Sequence, residues 1–228
     1  MNPNRKTAIF FGILLIFGIV FGILNTVPAL EHPGYLVKLS EIKTQVLWAM
    51  FFQFAMASVY VGISVVIYPI IKKFNEGIAL WYFGFRIIGA AFLYIGIVSL
   101  MLLLFISQSY IASNQPNPSY YQTIAELLRV GRDGLNHIGM ILPWSIGGLI
   151  LFYSFFRMNL VPKWLTIWGI IGYTLTLMST ILLLFEIIKI ITPIYFVMNT
   201  PTALLELVLA GYLIIKGFNP TVIDSNRN

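Results

Sequence analysis

Two ionisable side chains fall inside otherwise apolar stretches. Arg86 lies within residues 78–106 and Glu206 within residues 194–215. A charge at the centre of a bilayer costs about 2.5–3.5 kcal/mol on insertion scales, so each needs a partner or a task. Arg86 is eight residues past Ile78, about 12 Å along a helix. Glu206 is ten residues before Lys216, about 15 Å from the same edge. Arg86 shares a helical face with Gly89, Leu93 and Gly96, and Glu206 with Asn199, Thr202, Ala203 and Ala210. Small residues let helices approach closely, so both faces are expected to point into a bundle, where Arg86 and Glu206 meet. Such a pair is either a staple between two helices or the centre of a binding or proton-coupling site.

A second polar set belongs to the opposite half of the same stretches. Gln53 continues through Ala57, Tyr60 and Ser64, while Asn136 and His137 open the fourth apolar stretch. Thr176, Ser179 and Thr180 follow along the fifth, and Asn199 and Thr200 precede Pro201 in the sixth. Proline removes a backbone bond, so Pro201 is expected to kink its helix and free a carbonyl. These residues would line a polar cavity or make ordinary interhelical hydrogen bonds. The candidate binding residues are therefore Arg86, Glu206, Asn199, Gln53, His137 and Asn136.

Chemistry beyond binding finds little support. His32 and His137 are the sole histidines and cysteine is absent, so thiol nucleophiles and zinc–thiolate sites are excluded, and no metal or cofactor is expected. A hydroxyl nucleophile such as Thr44 with His137 as base is conceivable, but no motif carries it. No phosphate-binding glycine loop or dinucleotide fingerprint occurs, so the chain alone is no ATP-driven pump.

The elements that must hold these residues follow from composition. Of 228 residues, 59% are apolar and 10% charged. Soluble domains are about 45–50% apolar and about 25% charged, so water would not tolerate the surface of such a globule. Six stretches, at 7–24, 46–71, 78–106, 135–156, 164–185 and 194–215, approach or exceed the roughly 20 residues that span hydrocarbon as a helix. Alternating hydrophobicity is missing, which argues against a β-barrel. The expected fold is all-α: a single integral membrane domain over 1–228, a bundle of six transmembrane helices. The first stretch follows Arg5 and Lys6 but runs about 18 residues, longer than the roughly 7–15 of a signal peptide's core, so it is expected to stay as a helix.

The connections add detail. Asn114-Gln115-Pro116-Asn117-Pro118 breaks the chain after the third stretch. Beyond it, Tyr120, Ile124, Leu127 and Leu128 share one face of a short interfacial helix. That helix either lies on the membrane surface or packs on the bundle. Gly18 and Gly22 form a small-xxx-small pair that suits close packing, within the chain or in a homo-oligomer.

Orientation comes from counting basic residues. One side holds Arg5, Lys6, Lys72, Lys73, Arg157, Lys163, Lys216 and Arg227, against Glu76 and Asp224. The other holds Lys38, Lys43, Arg129, Arg132 and Lys189, balanced by Glu31, Glu41, Glu126, Asp133 and Glu186. The excess of basic residues marks the cytoplasmic side, which then carries both termini in a bacterial inner membrane. Trp48, Trp81 and Trp164 fall near the interfaces, as an aromatic belt requires. The net charge of +6 is thus spent on topology, and no nucleic-acid partner is expected.

Three stretches resemble a bacterial membrane-protein family known as domain of unknown function 4386. They are Tyr68-Pro69-Ile70-Ile71-Lys72-Lys73 with Ala79-Leu80 and Gly84-Phe85-Arg86; Pro162-Lys163-Trp164-Leu165 with Trp168-Gly169; and Pro201 with Glu206 and Gly211-Tyr212-Leu213-Ile214-Ile215-Lys216-Gly217-Phe218. The resemblance implies a multi-helix integral membrane protein without an established activity. The family pattern often has an acidic residue three positions after the arginine. Here Gly89 stands there, which leaves Glu206 as the counter-charge for Arg86. Three functions remain open: binding or transport of a small molecule or lipid, a structural or regulatory subunit, and an intramembrane enzyme.

Overall fold

A computed structural model describes residues 3–113 and 118–219. Eight α-helices are defined: α1 (Pro3–Leu24), α2 (Tyr35–Glu41), α3 (Lys43–Lys72), α4 (Glu76–Ala112), α5 (Pro118–Gly134), α6 (Ile141–Met158), α7 (Lys163–Leu184) and α8 (Pro193–Ile215). No strand occurs among the described residues. Six helical stretches are long and apolar enough to cross a membrane, with α5 and α6 forming one of them. The chain is a multi-pass membrane protein. The break expected at 114–117, and the charges at Asp224 and Arg227, lie outside the described residues.

The helices satisfy their own backbone, which hydrocarbon demands. Their ends are managed locally. The Asn75 side chain accepts from the Ile78 amide at 2.9 Å and starts α4. At the end of α8, Arg5 of α1 donates to the carbonyls of Leu213, Ile214 and Ile215 at 3.1, 2.7 and 2.9 Å. A cation is well placed there, because the last carbonyls of a helix lack partners and carry negative partial charge. Gly217 follows with φ +80°, a left-handed conformation that glycine adopts without strain. The Arg5 contact also places the first and last described helices with their terminal ends at the same end of the bundle. The short turns 73–75 and 159–162 complete that end.

The opposite end is built differently. The first connection holds a 3₁₀ turn (Pro28–Glu31) and α2. Leu30, Leu36 and Leu39 bury against Val46, Leu100 and Leu103, and Ser107 Oγ donates to the Leu36 carbonyl at 2.6 Å. The α5 segment joins this cap. Ala125 is fully buried, Tyr121 and Leu128 pack beside it, and Tyr120 and Leu127 stay exposed. The helix thus packs on the bundle through Ala125, Tyr121 and Leu128, with Tyr120 and Leu127 of its expected apolar face turned outward. Its chain continues through a π-helical turn (Leu135–Gly139) into α6, so it extends a span as well as capping the bundle.

A larger apolar core occupies the rest. Phe11, Ile63, Ile67, Tyr82, Phe152, Phe155, Tyr173 and Leu209 bring all six spans together. Outward faces are apolar too: Trp48, Trp81 and Trp164 are all more than half exposed. That is the surface lipid would cover. Gly18 and Gly22 serve close packing within the chain, since a Cβ on each would lie 3.0 Å from Tyr60 Cε1 and 3.4 Å from Met56 Sδ of α3.

Candidate functional site

Arg86 and Glu206 are both buried, at 3% and 8% exposure, but they do not form a direct ion pair. The expectation that they meet is corrected in this respect: an aromatic side chain from a third helix stands between them. Tyr173 of α7 donates its hydroxyl to Glu206 Oε1 at 2.8 Å. The Arg86 guanidinium carbon lies 4.9 Å from the Trp144 ring centroid, 5.5 Å from that of Tyr82 and 6.0 Å from that of Tyr173. Rings stabilise a buried guanidinium through their negative faces, so aromatic quadrupoles replace a carboxylate as its nearest partners. The Nε of Arg86, the hydroxyl of Tyr82 and Nε1 of Trp144 have no hydrogen-bond partner.

The sequence builds this cluster with adjacent glycines. A Cβ at Gly148 would fall on the Tyr173 ring, and a Cβ at Gly147 would lie 3.3 Å from Arg86 Nε. Gly147-Gly148 therefore lets α6 accept Arg86 from α4 and Tyr173 from α7 together. Gly89 has a similar duty, because its Cβ would lie 3.2 Å from the Met140 carbonyl. A side chain at that position would press on the Met140 carbonyl, and with glycine there Arg86 has no acidic neighbour three residues on.

The other candidates surround two cavities. The larger, about 580 Å³, opens at the end of the bundle that carries α2 and α5. Its rim includes the exposed Thr26 and Glu31, and its walls include Gln53, Arg132, Asn136, His137 and Tyr195. The smaller, about 220 Å³, is lined by Tyr60, Trp144, Thr176, Asn199, Thr202 and Glu206. Met140, Ile141 and Tyr195 belong to both linings, so the cavities share a wall. Glu206 lines the smaller one and Arg86 lines neither.

Within these walls several polar groups are bonded to one another, while Gln53 Oε1 and Arg132 Nε are buried without a partner. Gln53 Nε2 donates to the Leu93 carbonyl at 2.9 Å and to Asn136 Oδ1 at 3.1 Å. Gly96 makes that bond possible, since a Cβ there would lie 2.5 Å from Asn136 Oδ1 and 2.7 Å from Gln53 Nε2. His137 Nδ1 shares a 2.9 Å hydrogen bond with the Tyr195 hydroxyl. Asn199 donates to Ser179 Oγ at 3.0 Å and to the Tyr195 carbonyl at 2.8 Å. Thr176 and Thr202 hydroxyls pair at 2.8 Å. Gln53, Asn136, His137, Thr176 and Asn199 line these cavities, whereas Ser64, Thr180 and Thr200 line neither and bond to carbonyls of their own helices. The chain remains helical through Pro201, with Thr200 Oγ1 bonded to the Phe196 carbonyl at 2.7 Å.

Sequence reasoning did not single out Tyr173, Trp144 or Tyr82, because an aromatic residue in an apolar span carries no local mark of function. The polar pattern of Thr176 and Ser179 on the same helix was the nearest signal. Thr44 is exposed on the first turn of α3 and lines neither cavity, so nothing joins it to His137. Among the described residues, no group of three or more His, Cys, Asp or Glu side chains is arranged to hold a metal ion. The sequence profile of a family described as Domain of unknown function (DUF4386) matches residues 10–217. Neither a curated protein nor a solved structure matches the chain.

Proposed function

The chain belongs to the Domain of unknown function (DUF4386) family, and from that premise we propose that it is a membrane receptor or carrier for a small molecule or lipid. The ligand enters the 580 Å³ cavity and reaches Glu206 through the 220 Å³ one. The observation that carries this reading is that the larger cavity borders, across Met140, Ile141 and Tyr195, the cavity lined by the buried carboxylate of Glu206. The larger volume falls within the about 300–1,000 Å³ usual for ligand sites. Apolar walls with a few converging polar groups are also typical of such sites. We place the protein in a bacterial cytoplasmic membrane with both termini inside, on the excess of basic residues at that end. The cavity then opens to the outside.

Native mass spectrometry of the protein, extracted gently from its own membrane, tests the reading beside Glu206→Gln. A glutamine still accepts from Tyr173, so the fold is expected to hold. A defined extra mass on the wild type that the variant loses supports a ligand at Glu206. A second reading has its own observation: the Tyr173–Glu206 bond ties α7 to α8 inside the core. If neither protein carries an adduct and the variant only melts earlier, Glu206 is a staple and the protein acts through helix contacts.

A further inference from the structure

Among the described residues Arg132 is the second buried cation, beside Arg86, and it has no hydrogen bond there. It sits in the last turn of α5 with 8% of its surface exposed, and its Nε is buried without a partner. Its nearest carboxylate is Asp133 Oδ1, 3.8 Å from Nη1, beyond hydrogen-bond length. The other Asp133 oxygen faces Arg129 at 3.5 Å, and Arg129 is itself held by Glu126 through bonds of 2.9 and 2.7 Å. A cation withdrawn from water without a bonded anion is unfavourable, and a guanidinium fork fits a carboxylate or phosphate with two parallel bonds. Arg132 lines the larger cavity, whose deeper walls include Met56, Leu93, Met140 and Ile141.

We propose that this cavity binds an amphiphile with a single anionic head, its carboxylate or phosphodiester on Arg132 and its apolar part among those deeper side chains. The inference rests on the ligand-binding reading above and adds the ligand's class. Arg132 stands just before the apolar part of its helix begins at Leu135, the level at which headgroups meet hydrocarbon. Glu31 and Asp133 share the cavity lining, so a head with more than one negative charge is repelled. A small free anion would satisfy the guanidinium but leave the apolar walls unfilled.

The test uses the full chain in detergent with oleate, oleyl alcohol and inorganic phosphate as probes. Oleate is expected to bind about tenfold or more tightly than oleyl alcohol, as a charge-assisted bidentate contact would give. R132Q should erase that margin without changing oleyl alcohol binding, R132K should keep part of it, and D133N should widen it. If R132Q fails to give a folded protein, R132K and D133N decide by their opposite signs. Equal binding of oleate and oleyl alcohol to the wild type overturns the anionic head but leaves a ligand cavity. Phosphate binding as tightly as oleate overturns the apolar part. Binding of neither lipid overturns this proposal, whereas a native adduct lost in Glu206→Gln would still support the reading on which it rests.

Discussion

At the residue scale, the core of this molecule handles charge with rings and a phenol. Arg86 is enclosed by Trp144, Tyr82 and Tyr173, and Glu206 takes its hydrogen bond from Tyr173. Tyr173 is thus the hinge between a buried cation and a buried carboxylate on different helices. Removing its hydroxyl leaves Glu206 Oε1 without that donor while the ring still fills its space. Tyr173→Phe is expected to cost about 1–3 kcal/mol of stability, the penalty for stranding a buried polar partner. Thermal unfolding in detergent checks this, and a loss no larger than that of Glu206→Gln would count against the bridging role.

At the element scale, adjacent glycines on α6 decide how close three helices come. Gly148→Ala drives a methyl group into the Tyr173 ring, which is packed on Trp144 and Phe152 at 4.9 and 5.6 Å and has nowhere to retreat. Overpacking of this kind costs about 1–3 kcal/mol. The variant should unfold earlier and show an altered tyrosine and tryptophan fluorescence spectrum, whereas Gly84→Ala, with open space around it, should not. The α1–α8 contact makes a separate prediction. Arg5 satisfies three terminal carbonyls of α8, so Arg5→Ala should lower stability by about 1–2 kcal/mol, against no change for Lys6→Ala. Comparison of melting temperatures in one detergent distinguishes these outcomes.

At the scale of the whole molecule, the two ends are unlike. One has tight turns and the Arg5–α8 contact, and the other is capped by α2 and α5 and holds the mouth of the larger cavity. The proposed orientation sets the first inside and the second outside. The chain contains no cysteine, so single cysteines report cleanly. Lys189→Cys should react with an impermeant maleimide on intact cells, and Lys73→Cys should react only after lysis. The reverse pattern would invert the orientation and direct the cavity to the cytoplasm.

The sequence by itself determined the membrane class, the six apolar helices and the polar residues worth watching. Length and hydrophobicity of a span are properties of consecutive residues, and the unsatisfied backbone of lipid-exposed chain leaves helices as the outcome. The depth of Arg86 and Glu206 was legible for the same reason, since rise per residue converts position into height. Their relation was not. Depth says nothing about which helices are neighbours, and α4 reaches the Glu206 region by way of α6 and α7, so Tyr173 and Trp144 occupy the space that a pattern of charges assigned to a salt bridge. The helical content of 25–42 was equally hidden: Pro28, Pro33 and Gly34 are turn signals, yet the stretch forms a 3₁₀ turn and α2 that bury Leu30, Leu36 and Leu39 against α4. Only the tertiary structure decided which polar residues face a common cavity, because a cavity is the space that several helices fail to fill together.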